Sequence, residues 1–316
     1  MDGILNINKP SGITSFGVVA LVRRLSGERR VGHAGTLDPA ATGVLPVCLG
    51  QGTRVIEFLV DTTKSYRAEI VLGVATDTFD ASGKVTRQGE PAGISRAQLD
   101  IALDSFHGQI QQVPPLYSAL KHQGKPLYEL ARAGLEVELK SRPVTIHKLE
   151  LIDWQPPSVT IEVVCSKGTY IRSLAHDLGQ MLGCGAHLKS LIRLRCGIFD
   201  IKDAVSVPQL EGAFRGGYWQ QLLYPIDSVL SDLTAVVVTE YEAKNIKNGR
   251  SLVLENAPNQ SASDELSPAI AGGASLQNRC RAYTLDGRFL GVLCFNPEDG
   301  QWHPQKVFLR SGPVLE

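Results

Sequence analysis

The sequence has no excess of either charge: 32 Lys and Arg balance 32 Asp and Glu over 316 residues. That argues against a protein that coats polyanions by bulk charge. Any nucleic-acid surface has to come from local clusters. It also lacks a Cys-x-x-Cys pair. The six cysteines are scattered, several in apolar strings such as Leu45-Pro46-Val47-Cys48-Leu49, and read as reduced core residues of a cytoplasmic protein. Cys184-x-x-His187 offers two zinc ligands, short of a tetrahedral set, so no metal is expected. Long hydrophobic runs are missing too. No apolar stretch approaches a membrane span, and Met1-Asp2-Gly3-Ile4-Leu5 has no basic leader, so neither a membrane segment nor a signal peptide is expected. The Gly-x-x-x-x-Gly-Lys-Ser/Thr phosphate loop is absent, which disfavours a nucleotide-binding switch.

What is present suffices for one large domain plus a small one, with 43% apolar residues to fill a core. Charge is clustered locally. From Cys165 to Gly197, five basic residues (Lys167, Arg172, Lys189, Arg193, Arg195) face one acid, Asp177; from Met1 to Val60, six basic residues face four acids. Such runs are usually solvated faces, but two flanking one site suggest a phosphate-lined groove.

Along the chain, Gly3–Asn8 reads as a short strand. Ser15 is placed to cap a helix through Val18, Val19, Val22 and Leu25 that closes near Gly27. Gly32–Gly43 reads as a loop, followed by a buried strand at Val44–Leu49 that Pro46 weakens. Tyr66, Ala68, Ile70 and Leu72 alternate on one strand face. Ser95 and Gln98 form a capping box for a helix ending near Gly108. A short helix is predicted from Pro126 to Gly134, and strands at Val144–Ile152 and Val159–Cys165. Ile171, Leu174, Ala175, Leu178 and Leu182 share a helical face, and Ala186–Phe199 reads as strand. Further strands are predicted at Val236–Thr239, Arg281–Leu285, Phe289–Phe295 and Val307–Arg310, with Asp286-Gly287 as a hairpin turn. Glu255–Asn278 has no periodicity and reads as a flexible insertion.

Chemistry concentrates in Gly32-His33-Ala34-Gly35-Thr36-Leu37-Asp38-Pro39. The glycines permit unusual backbone angles, and Pro39 restricts Asp38 to extended geometry, so one carboxylate sits on a stiff loop. Alone, Asp-Pro is an ordinary turn element. A second element is Gly168-Thr169-Tyr170-Ile171-Arg172, where Arg172 stands near a helix N-terminus, unfavourably for the dipole. It either snorkels to water, the commoner case, or pairs with an acid. Asp77 and Asp80 read as turn residues supporting the site. His176, His187 and His303 have no catalytic role in this reading.

Gly32–Pro39 followed by Thr42-Gly43-Val44-Leu45 resembles the catalytic motif of the bacterial tRNA pseudouridine-55 synthases, the TruB-type family. Lys9-Pro10-Ser11-Gly12-Ile13-Thr14-Ser15, Lys64-Ser65-Tyr66, Gly168–Arg172 with Asp177-Leu178-Gly179, and Leu182-Gly183-Cys184-Gly185-Ala186-His187 resemble further family motifs, in order, from about Gly3 to Phe199. Pro114–Ala119 resembles the start of the family's RNA-gripping insertion, about 114–142. The resemblance implies an α/β (α+β) fold with a mixed, largely antiparallel sheet flanked by helices. It implies an isomerase that turns a uridine of the tRNA TΨC loop, position 55, into pseudouridine. Asp38 would be the catalytic aspartate and Arg172 its partner, holding it ionised against desolvation. Tyr66 would stack on the uracil, Tyr170 and Leu191 would line the pocket, His33 would lie near the flipped-out nucleotide, and Lys9 would support the loop. Lys121, Lys125, Arg132, Lys140 and Arg142 would hold phosphates. No cofactor is implied, the partner is the tRNA T-arm, and a monomer suffices.

Past Phe199 the resemblance implies a small PUA-like β domain. The expected division is a catalytic domain at 1–230 and this module at 231–316. The module's eight basic and ten acidic residues argue against a dominant electrostatic role in RNA binding. The rival reading is a non-enzymatic tRNA-binding or folding chaperone on the same scaffold.

Overall fold

The structure, a computed structural model, describes residues 1–118, 120–122, 124–133, 135, 137, 139–254 and 278–308. Strand β1 (Gly3–Lys9) is buried on both faces through Ile4, Leu5 and Ile7, as a central strand requires. Helix α1 (Ser15–Ser26) follows. Its cap is Thr14 rather than the expected Ser15: the Thr14 hydroxyl accepts from Gly17 N at 2.9 Å. Val18, Val19 and Val22 press into the core, each burial contributing roughly 1.5–3 kcal/mol.

The first two residues of the loop expected at 32–43 belong to a short strand, β2 (Val31–His33), lying against β3 (Thr42–Leu49). Pro46 sits inside β3 without breaking its pairing with β1. Its carbonyl accepts from Ala34 N just past the end of β2, so its missing N–H faces the β2 side, where the pairing ends, and not β1. Helix α2 (Ile56–Val60), β4 (Lys64–Leu72) and the hairpin β5 (Val74–Thr76)–β6 (Val85–Gln88) come next. Helix α3 (Arg96–Asp104) has the expected Ser95–Gln98 capping box but stops short of Gly108. That glycine, at φ 82°, already opens β7 (Gly108–Gln112). A small hairpin, β8 (Lys121–His122) and β9 (Lys125–Pro126), takes up Pro126. Helix α4 (Leu127–Arg132) therefore begins one residue later than predicted.

The main sheet is completed by β10 (Arg142–Gln155), β11 (Ser158–Cys165), β12 (Ala186–Cys196), β13 (Phe199–Asp200), β14 (Val205–Ser206) and β15 (Leu223–Tyr224), with α5 (Ile171–Met181) and α6 (Val207–Arg215) between them. The order is β14-β1-β3-β12-β4-β11-β10-β7, antiparallel throughout except β1–β14 and β3–β12. This is the mixed, largely antiparallel sheet expected. Helices α3 and α5 share one core cluster with β4, β10 and β11, and α1 and α6 share another with β1 and β3.

A second sheet, β16 (Thr234–Val238), β17 (Arg279–Thr284), β18 (Phe289–Asn296) and β19 (Gln301–Val307), runs in that order. It includes a helix the sequence reading missed, α7 (Glu240–Lys247), capped by Thr239 and Glu242. The last strand lies before the predicted Val307–Arg310, meeting it only at Val307. Predicted insertion residues 255–277 lie outside the described residues. Val292 and Phe308 of this region join Ile4, Val44 and Cys48 in one cluster, docking the small sheet on the large one. No helix among the described residues is long and apolar enough to cross a membrane.

Candidate active site

The Asp38 loop is tied down on both sides of the aspartate. Ser15 Oγ, buried at the start of α1, donates to Leu37 O (3.0 Å) and accepts from Leu37 N (2.8 Å). Gly12 N donates to Pro39 O at 2.9 Å. Lys9 Nζ donates to that same carbonyl (3.2 Å) and to Pro10 O and Ile13 O (2.9 and 2.7 Å). Lys9 is fully buried at the end of β1, with all three ammonium protons used. Burial pulls its pKa down to about 8, against the pull of the Asp38 charge.

Arg172 reaches the Asp38 carboxylate through Nε (3.1 Å to Oδ2) and Nη2 (3.5 Å to Oδ1). It does not snorkel. Only 6% of it is exposed, and Nη2 also donates to Tyr117 O at 2.8 Å. Nη1 faces Asp80 Oδ2 (3.4 Å). Asp80 thus does more than hold a turn. Its Oδ1 accepts from Thr78 Oγ1, Ser82 N and Ser82 Oγ, which leaves Oδ2 for the guanidinium. The tip of that turn, Phe79, has φ 64° and is the one described non-glycine residue in the left-handed region. Its ring stacks on His176 at 3.9 Å, one helical turn past Arg172. The Asp80 turn is therefore packed onto the helix that carries the arginine.

Burial in the cleft raises the Asp38 pKa. Arg172 is the chief opposing influence, Asp80 adds to the rise, and Lys9 opposes it. Arg172 thus offsets part of the desolvation, and burial is the larger effect.

Asp38, Tyr66, Tyr170, Arg172 and Leu191 line one cleft of about 720 Å³, a volume suited to a small planar ligand with its sugar. Strands β3 and β12 pair over only two residues, Thr42–Ile192 and Gly43–Arg193, and Arg193 of that contact also lines the cleft. Tyr66 on β4 packs against the core, and burial pushes its phenol up to about 12. Tyr170 precedes α5 and is gripped by Gln112, which accepts from its N–H (2.8 Å) and donates to its carbonyl (3.0 Å). Leu191 lies on β12 opposite Ala68. His33 and Lys9 are not in the cleft wall. His33 ends β2, its Nδ1 buried without a partner, and burial with the Arg193 charge lowers its pKa.

The sequence reading underrated Asp80, whose neighbouring Gly83 made a turn the obvious assignment. It counted Arg193 only as one basic residue of a run, and it took Ser15 for a cap. Cys184 and His187 do not form a metal set. Cys184 Sγ contacts Gly185 O, His187 Nδ1 donates to Val74 O at 2.9 Å, and no group of three or more ligating side chains occurs among the described residues.

Comparison with known proteins identifies the family. Residues 23–171 match the model of the TruB family pseudouridylate synthase N-terminal domain, and residues 172–231 that of the tRNA pseudouridylate synthase B C-terminal domain. The tRNA pseudouridine synthase B of Dehalococcoides mccartyi is 44% identical over 314 residues, 99% of this chain and 98% of that one. That of Syntrophotalea carbinolica is 52% identical over 67% of this chain and 69% of its own. Among solved structures, a Cbf5–Nop10–Gar1 complex contains a chain that superposes with a TM-score of 0.70 at 23% identity, covering 97% of this chain and 85% of that one, which speaks to the fold alone. A carboxylate–arginine pair in a cleft faced by tyrosines, the ordered motifs and these matches lead to one assignment: the chain belongs to the TruB family of pseudouridylate synthases.

Proposed function

We propose that this enzyme isomerises uridine 55 in the TΨC loop of tRNA, with Asp38 as the catalytic carboxylate. The observation that carries the reading is the buried Arg172 guanidinium 3.1 Å from Asp38, in a cleft lined by Tyr66 and Tyr170. The reaction breaks the N1–C1′ bond, turns the uracil and joins C5 to C1′. Atoms and electrons balance within the nucleotide, so the chemistry calls for no cofactor. Asp38 either attacks the sugar carbon or removes a sugar proton, and both routes start from the ionised carboxylate.

In this reading Tyr66 stacks on the base and assists proton loss at C5. Tyr170 and Leu191 hold its edges. Arg172 orients Asp38, and Lys9 fixes the loop through Pro39 O. His33 is assigned to the neighbourhood of the displaced nucleotide. Uracil chemistry on both faces requires extrusion of the nucleotide, at about a few kcal/mol. The T-arm is read by shape, with Lys125, Lys140 and Arg142 of the 114–142 insertion against its phosphates. The working division is a catalytic unit at 1–230 and a β module at 231–316, acting as a monomer in the cytoplasm. A pure tRNA chaperone has no use for a buried acid–arginine pair, so the enzyme is the better reading.

The test is unmodified tRNA tritiated at uridine C5. The native chain releases tritium; Asp38→Asn binds the tRNA and releases none. Binding without release by the native chain would falsify the reading.

A further inference from the structure

Arg193 has the largest side chain buried completely in the described protein, with 1% exposed. It stands on β12, opposite Tyr66 of β4 and beside Gly43 of β3. Its Nε donates to Val44 O at 2.6 Å and its Nη2 to Gly35 O at 3.2 Å. Both acceptors are neutral carbonyls, and no described carboxylate lies within 4.0 Å of it. Arg172, by contrast, has two carboxylates. It also hydrogen-bonds to the Tyr66 side chain, and a guanidinium carries five N–H donors, so Arg193 ties the loop to the tyrosine and still has donors to spare. Its Nη1 lies against Gly35, 3.5 Å from where a β-carbon would stand, and the glycine leaves that path to the loop open.

A buried charge without a counter-charge is costly and calls for a reason. The charge is felt around the cleft: burial is the largest influence on Lys9, His33, Lys64 and Tyr66, and the Arg193 charge adds to the lowering of the first three and opposes the rise at Tyr66. The cleft wall therefore holds two arginines with different partners. One is matched to Asp38. The other is unmatched and stands on the Tyr66 side.

We propose that Arg193 stabilises the departing uracil. When the N1–C1′ bond breaks, the bonding electron pair stays with the base, spread over N1, O2 and O4. Arg193 supplies the fixed positive charge beside it. C5 then returns the pair to C1′ and afterwards loses its proton, and Arg193 exchanges no atom. This is electrostatic preorganisation aimed at charge present only after cleavage begins. It holds whether Asp38 attacks carbon or takes a proton, because the base leaves as an anion in both cases. It rests on the reading that a uridine is turned out onto Tyr66.

The experiment compares the native chain with Arg193→Met and Arg193→Lys. Each is given tRNA carrying uridine or 5-fluorouridine at the target position, in single turnover, read by nuclease digestion and chromatography. Fluorine withdraws electrons and makes the base a better leaving anion, so it needs less help. Arg193→Met should slow the uridine substrate by about 100-fold with tRNA binding little changed. Its loss on 5-fluorouridine should be at least about tenfold smaller, and Arg193→Lys should recover part of the rate. If the Met variant does not fold, the Lys variant carries the same two-substrate comparison. Equal losses on the two substrates, or an undiminished rate, overturn the proposal and leave Arg193 as a tie between strands. A native chain inert toward both substrates overturns the functional reading itself, and this one with it.

Discussion

Asp38 is held between opposing forces: burial and Asp80 push its pKa up, while Arg172 and Lys9 draw it down. Catalysis by the ionised form should therefore fail on acidification at a pH above the ordinary carboxylate range. Lys9→Met removes one of the two cations, so the acid limb of the single-turnover rate should move to higher pH. A limb that stays put would show that Lys9 acts only through its hydrogen bonds. Lys9 itself has a folded pKa of about 8, below the ordinary 10.5. The unfolded chain binds the extra proton between those values. The contribution of Lys9 to stability thus grows as pH rises from about 8 to about 10.5 and is lost as pH falls through 8. Denaturation curves of native and Met variants should show the difference in that window. At this scale the sequence was legible where a motif named the residue, as for Asp38, Tyr66 and Arg172. It was opaque where local chemistry had a plainer explanation. Asp80 satisfies its own turn with one oxygen, and nothing in the string shows that the other meets an arginine 92 residues on.

Among the elements, the β3–β12 contact holds Arg193 beside the cleft. Gly43 has φ 103°, and a β-carbon there would stand 2.2 Å from Arg193 O. Gly43→Ala should cost about 2–4 kcal/mol, from the left-handed backbone and the forced separation of two strands. Urea denaturation measures it, and a loss under about 1 kcal/mol would mean that the strands part easily. Elements with long amphipathic patterns, α5 and β4 among them, were readable from periodicity. Helix α7 was not. It has eight residues and buries only Ala243 and Ile246, too few for a period to show, and only the Thr239–Glu242 capping box marks it. Strand β19 carries His303-Pro304-Gln305, which breaks apolar alternation. The α1 cap went to Thr14 because the adjacent Ser15 is needed at Leu37, a competition that no local rule decides.

Over the whole molecule, the small sheet is locked to the large one near α2. Arg54 donates to Val307 O and lies 5.1 Å over the Phe308 ring, and Lys306 meets Glu57 at 2.6 Å. With Val292 and Phe308 sharing a cluster with Ile4 and Cys48, we expect the two sheets to unfold together. Phe308→Ala should lower one common transition by about 3–5 kcal/mol; two separated transitions in calorimetry would contradict that. The strand order could not be read from pattern. The resemblance implied only a mixed, largely antiparallel sheet, and nothing in β1 announces that it pairs with β3, β14 and β15. That topology has a consequence for how the protein is made. Asp38 and Arg172 are 134 residues apart, and β1 gains its second neighbours only with Val205 and Leu223. At about 5–20 residues per second, the aspartate leaves the ribosome on the order of ten seconds before its arginine. A nascent chain shorter than that span carries the carboxylate proposed for catalysis and none of the partner that orients it.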